Sequence, residues 1–456
     1  MKDYQKVKLI TFAFIFGFLF TFLPPCGKAI QAVQKMNNKQ NYEVFNGLER
    51  FRQCLQASGN AYKTILFDDE NSSTYLTSGQ NYIVQNIGSN AADLTVWYNN
   101  TAYIFGNVDV TMNGTGSKIS FASSTSSNNL TIAGGNNTIS DFAGTVNAAN
   151  SVGNTFIDAT GTLYTGAYSS FVDANGATIV TGAKSQFLQC SNTTITTGSD
   201  SVFDTFNNGT INAGIKTIAN VISNSDVTLG RNSSIVTLTN SNLTTDGTGT
   251  TVGALKNSLV NWSTDGNGDF ASGGYGSFYV TGSIQGTNYI QGQSVYASFG
   301  NMDSTAQLKL DIWGAGSTIT GGAGNQSVTQ QGIGGLTFIS AASNSGSFTA
   351  TGGTGGDTFK AYSSMQMTGG SGTGNTFDII KTAAGATDVI TDFTASAHNV
   401  IELSGFGLTQ SDLGSILQNA TTNTSGTLLN IDNHTSVLLS DVHDNNSLQA
   451  SSFKLS

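Results

Sequence analysis

Residues 352–359 read GGTGGDTF. Gly352, Gly353, Gly355, Asp357 and Phe359 fit the spacing G-G-x-G-x-D-x-U-x, where U is a large apolar residue, and Lys360 completes it. The residue types name a chemistry. Glycine lets the backbone turn tightly and brings carbonyls inward. Aspartate adds a carboxylate. Calcium is a hard cation that takes six to eight oxygen ligands, so carbonyls and a carboxylate together suit it. Asp357 is the principal candidate ligand. Gly353, Gly355 and Asn375 of the following turn complete the candidate metal set. The other reading of the same residues is Gly-rich punctuation between short strands.

The neighbouring turns keep the glycines and lose the charge. GGAGNQSV at 321–328 has Gln326 in the aspartate position, and GSGTGNTF at 370–377 has Asn375 there. Phe338, Phe348, Phe359, Met367 and Phe377 continue through these turns at spacings of eight to eleven. Downstream, residues 388–407 read DVITDFTASAHNVIELSGFG, with Asp388, Ile390, Asp392 and Phe393 in a D-x-I-x-D-F run and Ile401 and Leu403 in an I-x-L strand. LTQSDL, TLLNIDNHTSVLLSDV and SLQASSFKLS follow. Residues 321–456 together resemble the C-terminal part of the repeats-in-toxin (RTX) secreted proteins. The resemblance implies a short, degenerate calcium β-roll over 319–380, a β-rich cap and secretion region over 381–456, calcium binding and export by a type I secretion machine.

A second candidate calcium loop is DGNGD, with Asp265, Asn267 and Asp269 at alternate positions. Gly276 stands where a closing glutamate belongs, so a solvent-exposed turn is the favoured reading. Nearby, Trp262, Tyr275, Phe278 and Tyr279 could stack on a sugar, although aromatics spaced regularly in a repeat more often fill the core. A catalytic constellation is harder to find. His398, His434 and His443 all lie near the C-terminus, and Lys184, Lys216, Arg231, Lys256 and Lys309 are scattered singly through the body. The expectation is a chain that is not an enzyme, with a polysaccharide-acting β-helix enzyme as the alternative. A glycan- or ice-binding module is another. Ice-binding faces need regular threonine rows, and TLTNSNLTTDGTGTTV at 237–252 is rich in threonine but irregular.

These turns must be carried by something, and the body supplies short strands. From 64 to 318, apolar pairs such as ISF at 119, LTI at 130, TFI at 155 and SFV at 170 recur every eight to eleven residues among Gly, Asn, Ser and Thr. Strands this short bury too little alone, and stacking equivalent strands on successive turns builds a continuous core. The pattern predicts an all-β, parallel β-solenoid or β-roll with two strands per coil of about twenty residues. A β-sandwich is the runner-up. Val44, Leu48, Phe51 and Leu55 share one helical face, which predicts a short N-terminal helical segment at 41–57, within a cap over 30–63.

Residues 9–23 are an uncharged apolar run preceded by Lys2, Lys6 and Lys8. The run is shorter than the roughly 20 residues of a spanning helix, which predicts a signal peptide or membrane anchor within 1–29. RTX-type export ordinarily uses no cleavable N-terminal signal, so this chain departs from the pattern there. Cys26, Cys54 and Cys190 form no disulfide framework and no zinc spacing. Nine of the 18 Lys and Arg lie in residues 1–63, and the rest of the chain sets nine basic residues against 25 acidic ones. Such a body does not bind nucleic acid through phosphates. Cations, a surface glycan or a second copy of the chain are the expected partners. Together these features predict a secreted or cell-surface, calcium-binding repeat protein with a structural or adhesive role.

Overall fold

A computed structural model describes residues 61–456, apart from 124–127, 246–249, 257, 264–275, 283–284, 292–294, 303, 305–306, 342–345 and 395–396. The fold is an all-β parallel β-solenoid. It divides into two compact units, one ending at Thr194 and one running from Ile195 to Ser456.

In the first unit the strands alternate between two parallel ladders. One passes through Tyr62–Phe67, Asn81–Asn86, Thr101–Phe105, Lys118–Ser123, Thr138–Ser140, Thr155–Ile157 and Ser170–Val172. The other passes through Ser73–Leu76, Ala92–Val96, Val108–Met112, Asn129–Ile132, Ala143–Ala148, Thr160–Thr165 and Ala177–Val180. Every pairing is parallel and joins residues one coil apart, which excludes the antiparallel sandwich considered above. Side chains alternate inward and outward along each strand. Inward positions hold Leu94, Val110, Leu130, Val146, Leu163 and Ile179, all buried. The rings of Phe156, Phe171 and Phe187 lie parallel, 5.3 and then 5.1 Å apart.

The second unit begins with two long strands, Val202–Ala213 and Ile218–Leu229, paired along nearly their whole length. One ladder then continues through Thr318–Thr320, Thr337–Ile339, Thr358–Ala361, Thr376–Ile380 and Val400–Ser404 to Phe453–Leu455. The opposite ladder runs through Gln307–Trp313, Asn325–Gln330, Phe348–Thr351, Met365–Thr368, Ala386–Ile390 and Thr435–Leu439. Phe338, Phe359 and Phe377 stack between them at 5.0 and 5.1 Å. Phe348 and Met367 belong to the opposite ladder, so the apolar series seen in the sequence alternates between two sheets.

Coils are often shorter than the expected twenty residues. Val202 pairs with Ile218 and Ile218 with Ser234, a step of 16. The corners explain the economy. Asp200, Asn208, Lys216, Asn224, Asn232 and Asn240 all have φ between 48° and 59°, one left-handed residue every eight. A single such residue bends the chain at a corner without a loop, and Asn and Asp tolerate this conformation better than other side-chained residues. The sequence points to Gly and Asn at the corners, and in this stretch Asn fills four of the six.

The helical segment expected at 41–57 lies outside the described residues. The one α-helix among them is Gln410–Gln418, near the other end of the chain. Thr409 caps it, accepting from Asp412 N, while the Asp412 carboxylate accepts from Thr409 N in return. No helix among the described residues is long and apolar enough to cross a membrane, and the apolar run at 9–23 lies outside them.

Candidate functional site

Asp357 immediately precedes Thr358, the first residue of its strand, and only 1% of its surface is exposed. Its Oδ1 accepts from Leu336 N at 2.7 Å, one coil earlier. Its Oδ2 accepts from Gly353 N at 3.0 Å within the same turn. The Asp357 N–H in turn donates to Asn375 Oδ1 of the next coil, and Asn375 N donates to Asn399 Oδ1 of the one after. A buried polar column therefore runs along the coil axis, each side chain accepting from the amide one coil before it. Burial drives the Asp357 carboxyl up to about 6, and its two backbone donors oppose the rise.

The first unit contains the same device without a carboxylate. Asn100 N donates to Ser117 Oγ, Ser117 N to Asn137 Oδ1 and Asn137 N to Asn154 Oδ1. Asn137 Nδ2 also donates to Gly114 O and Gly134 O, much as Asn375 Nδ2 reaches Gly369 O and Gly372 O. An amide at this position both accepts and donates. A carboxylate can only accept, so the turn around Asp357 carries carbonyl oxygens with one fewer donor to meet them.

The glycines of GGTGGDTF are required by space rather than by dihedral freedom. A Cβ on Gly352 would meet Asp357 Oδ2 at 2.4 Å and Gly369 O at 2.7 Å. One on Gly355 would meet the Gly334 backbone at 2.4 Å. One on Gly370 would meet Gly352 O at 2.4 Å and Gly353 O at 2.6 Å. Asp357 Oδ2 and the carbonyls of Gly352, Gly353 and Gly369 thus crowd the tight turns on either side of Gly370. Oxygen is the right donor element for a hard cation. Charge is sparse, because among the described residues no group of three or more His, Cys, Asp or Glu side chains is placed to hold a metal ion. The second candidate loop, Asp265, Asn267 and Asp269, lies outside those residues.

The D-x-I-x-D-F run has a structural part to play. Asp392 accepts from Gly369 N at 2.6 Å and Gly370 N at 2.8 Å. Phe393 packs edge-on against Phe377, and Phe393 N donates to Asp441 Oδ1. Asp388 points inward between Ala386 and Ile390 and is 0% exposed. Its Oδ1 accepts from Met365 N, its Oδ2 is buried without a partner, and burial pushes the group up to about 7. Ile401 and Leu403 are core residues of the adjoining strand.

Two groups of residues escaped the sequence reading. Gln330 bridges coils, donating to Gly334 O and accepting from Gly353 N. Asp141, Asp158 and Asp173 occupy left-handed corners of three successive coils of the first unit. Burial first, then the charges of Asp141 and Asp173, raise Asp158 to about 6. A signal was there, since each aspartate closes a short strand-forming run: TISD, TFID, SFVD. Cys190 is buried, and desolvation lifts its thiol to about 12, which makes it inert. Compared with known proteins, the chain matches no family model, no curated protein and no solved structure.

Proposed function

We propose that this chain is an exported structural or adhesive protein whose solenoid displays rows of like chemistry at strand spacing. The observation that carries the reading is register. Thr318, Thr337, Thr358 and Thr376 are direct partners on four consecutive strands, at outward-facing positions. On the opposite ladder Thr329, Thr351 and Thr368 do the same, and Thr368 Oγ1 lies 2.6 Å from Thr391 Oγ1. Neighbouring strands lie about 4.8 Å apart, so hydroxyls repeat at that interval along a stiff support. A repeating surface suits an extended partner such as a glycan, or a second copy of the chain, better than it suits a single reaction centre. Cell fractionation with protease shaving of intact cells tests the reading. Exposure to protease on whole cells, together with poorer attachment of a deletion strain, supports it. A chain confined to the cell interior overturns it.

The calcium reading belongs with this function and has its own support in the oxygens crowding the Gly352–Asp357 turn. Asp357 would hold the ion with carbonyls of Gly353 and Gly355 and the amide oxygen of Asn375. The ion would neutralise a buried carboxylate and stabilise the folded state to a degree set by its concentration over its dissociation constant. The RTX-like spacing of 352–360 and the D-x-I-x-D-F run support the same view, and with it a type I export route. Calcium should raise the melting temperature, and Asp357→Asn should remove the rise. An equal melting temperature in calcium and in chelator rejects the metal and leaves the solenoid untouched.

A further inference from the structure

We propose that the first unit carries a binding surface for a cationic polysaccharide, a polymer of amino sugars with free amines, centred on Tyr75, Trp97 and Tyr98. The three rings are 65%, 39% and 48% exposed. Large aromatic side chains are normally covered, and a group of them left in solvent marks a surface kept for contact. Their backbone is held firmly. Tyr98 O accepts from Gly79 N at 2.9 Å, Trp97 O accepts from the Ser117 hydroxyl at 2.8 Å, and Asn99 N donates to Thr115 O at 3.0 Å. Gly114 leaves no room for a Cβ beneath the Trp97–Tyr98 peptide, whose atoms would lie 2.4–2.7 Å from it. The Trp97 and Tyr98 rings sit 6.3 Å apart at 32°, an open pair rather than a mutual stack.

The strand register places charge beside this platform. Tyr75 is the direct partner of Thr95, and Ser73 of Asp93. Asp93 is in turn the partner of Asp109, and Thr95 of Thr111. The outward positions Ser73, Tyr75, Asp93, Thr95, Asp109 and Thr111 therefore form one face, with Trp97 at its end. Asp109 accepts from Asn129 N and Asn129 Nδ2, while no described residue bonds the Asp93 carboxylate. Between residues 61 and 194 the chain has eight acidic residues and only Lys63, Lys118 and Lys184 to offset them. Anionic polymers are repelled by such a face. An ammonium group is attracted both by carboxylates and by the faces of Trp and Tyr rings. Hydroxyls at strand spacing then meet the hydroxyls of successive sugars. This inference rests on the adhesive reading, to which it adds a ligand class.

The test is retention of the purified chain on polyglucosamine beads at mildly acidic pH, where the polymer's amines are protonated. Fully N-acetylated chitin, alginate and immobilised polylysine serve as comparisons. Retention on polyglucosamine alone is expected, weakened by salt. Trp97→Ala and Tyr75→Ala should each weaken binding about tenfold. Asp93→Asn with Asp109→Asn should weaken it and flatten the salt dependence. Unchanged circular dichroism and melting temperature establish that the variants are folded, as outward side chains should allow. Equal retention on chitin, preference for polylysine, or variants that bind like the parent would overturn the proposal. The binding assay is independent of where the chain resides in the cell. Failure here leaves the adhesive reading standing, and failure of surface exposure leaves this binding result intact.

Discussion

Replacing Asp388 by Asn tests whether a carboxylate is carried inside the core in its neutral form. The group lies among apolar residues with one oxygen bonded to Met365 N and the other unpartnered. Its pKa rises from 3.8 to about 7 on folding, chiefly through burial. A carboxyl that binds its proton more tightly when folded adds stability that is complete below the unfolded pKa and is lost as pH climbs through the folded one. Each tenfold gain in proton affinity is worth about 1.4 kcal/mol, so ionising Asp388 costs the fold about 4 kcal/mol. Urea unfolding followed by circular dichroism should therefore show the chain losing about that much stability between pH 4 and pH 9, as an order of magnitude. Asp388→Asn keeps an acceptor for Met365 N and removes the ionisable proton. It should flatten this part of the profile and leave the variant more stable than the parent at alkaline pH. Infrared spectroscopy offers a second readout, since the parent near neutral pH should show a protonated carboxylic acid band that the variant lacks. A variant with the parent's pH profile, or one less stable at alkaline pH, would refute the reasoning.

Other expectations follow from the same geometry. Asp158 is also raised by folding, so its contribution is present below about pH 4 and lost as pH rises through about 6. Asp158→Asn should make the first unit's melting temperature less sensitive to pH in that window, as seen by calorimetry. Phe359→Ala removes the middle ring of the Phe338–Phe377 stack and should cost about 3–5 kcal/mol in denaturant unfolding. Thr409→Ala should cost about 1 kcal/mol and speed amide exchange in the helix Gln410–Gln418 while sparing the strands. Lys454→Ala breaks the ion pair to Glu402 at 2.9 Å, yet Lys454 is exposed, so the change in denaturant unfolding should stay within about 1 kcal/mol.

The sequence disclosed the architecture and concealed the register. Short β-branched and aromatic runs at eight to eleven residues were enough to announce a parallel solenoid, because that spacing is half a coil. They could not say which residues stand side by side, since partners lie a whole coil apart and coil length drifts. Thr318, Thr337, Thr358 and Thr376 are separated by 19, 21 and 18 residues, which conceals a row that pairing makes regular. The threonine-rich stretch at 237–252 stands out because its residues are close in sequence, yet its spacing is irregular. Asp357 was legible as an unusual acid in a Gly-rich turn, but its role as an acceptor for Leu336 N depends on a neighbour 21 residues away. The helix at 410–418 was missed although Thr409 and Asp412 hold a capping-box spacing, because the surrounding run reads as one β-rich tail.

The eight-residue rhythm of corners between Asp200 and Asn240 has a consequence for how such a chain changes over generations. A gene segment encoding 16 residues here corresponds to one closed coil, with two polar column residues such as Ser225 and Ser233, two corners and one inward set from each face. Loss or duplication of that segment shortens or lengthens the unit by one layer while every remaining strand finds an equivalent partner. Slippage by any other number of codons disturbs corner, column and core together. Length in this stretch is therefore free to vary in quanta, and the chain's reach can be adjusted without inventing a new fold.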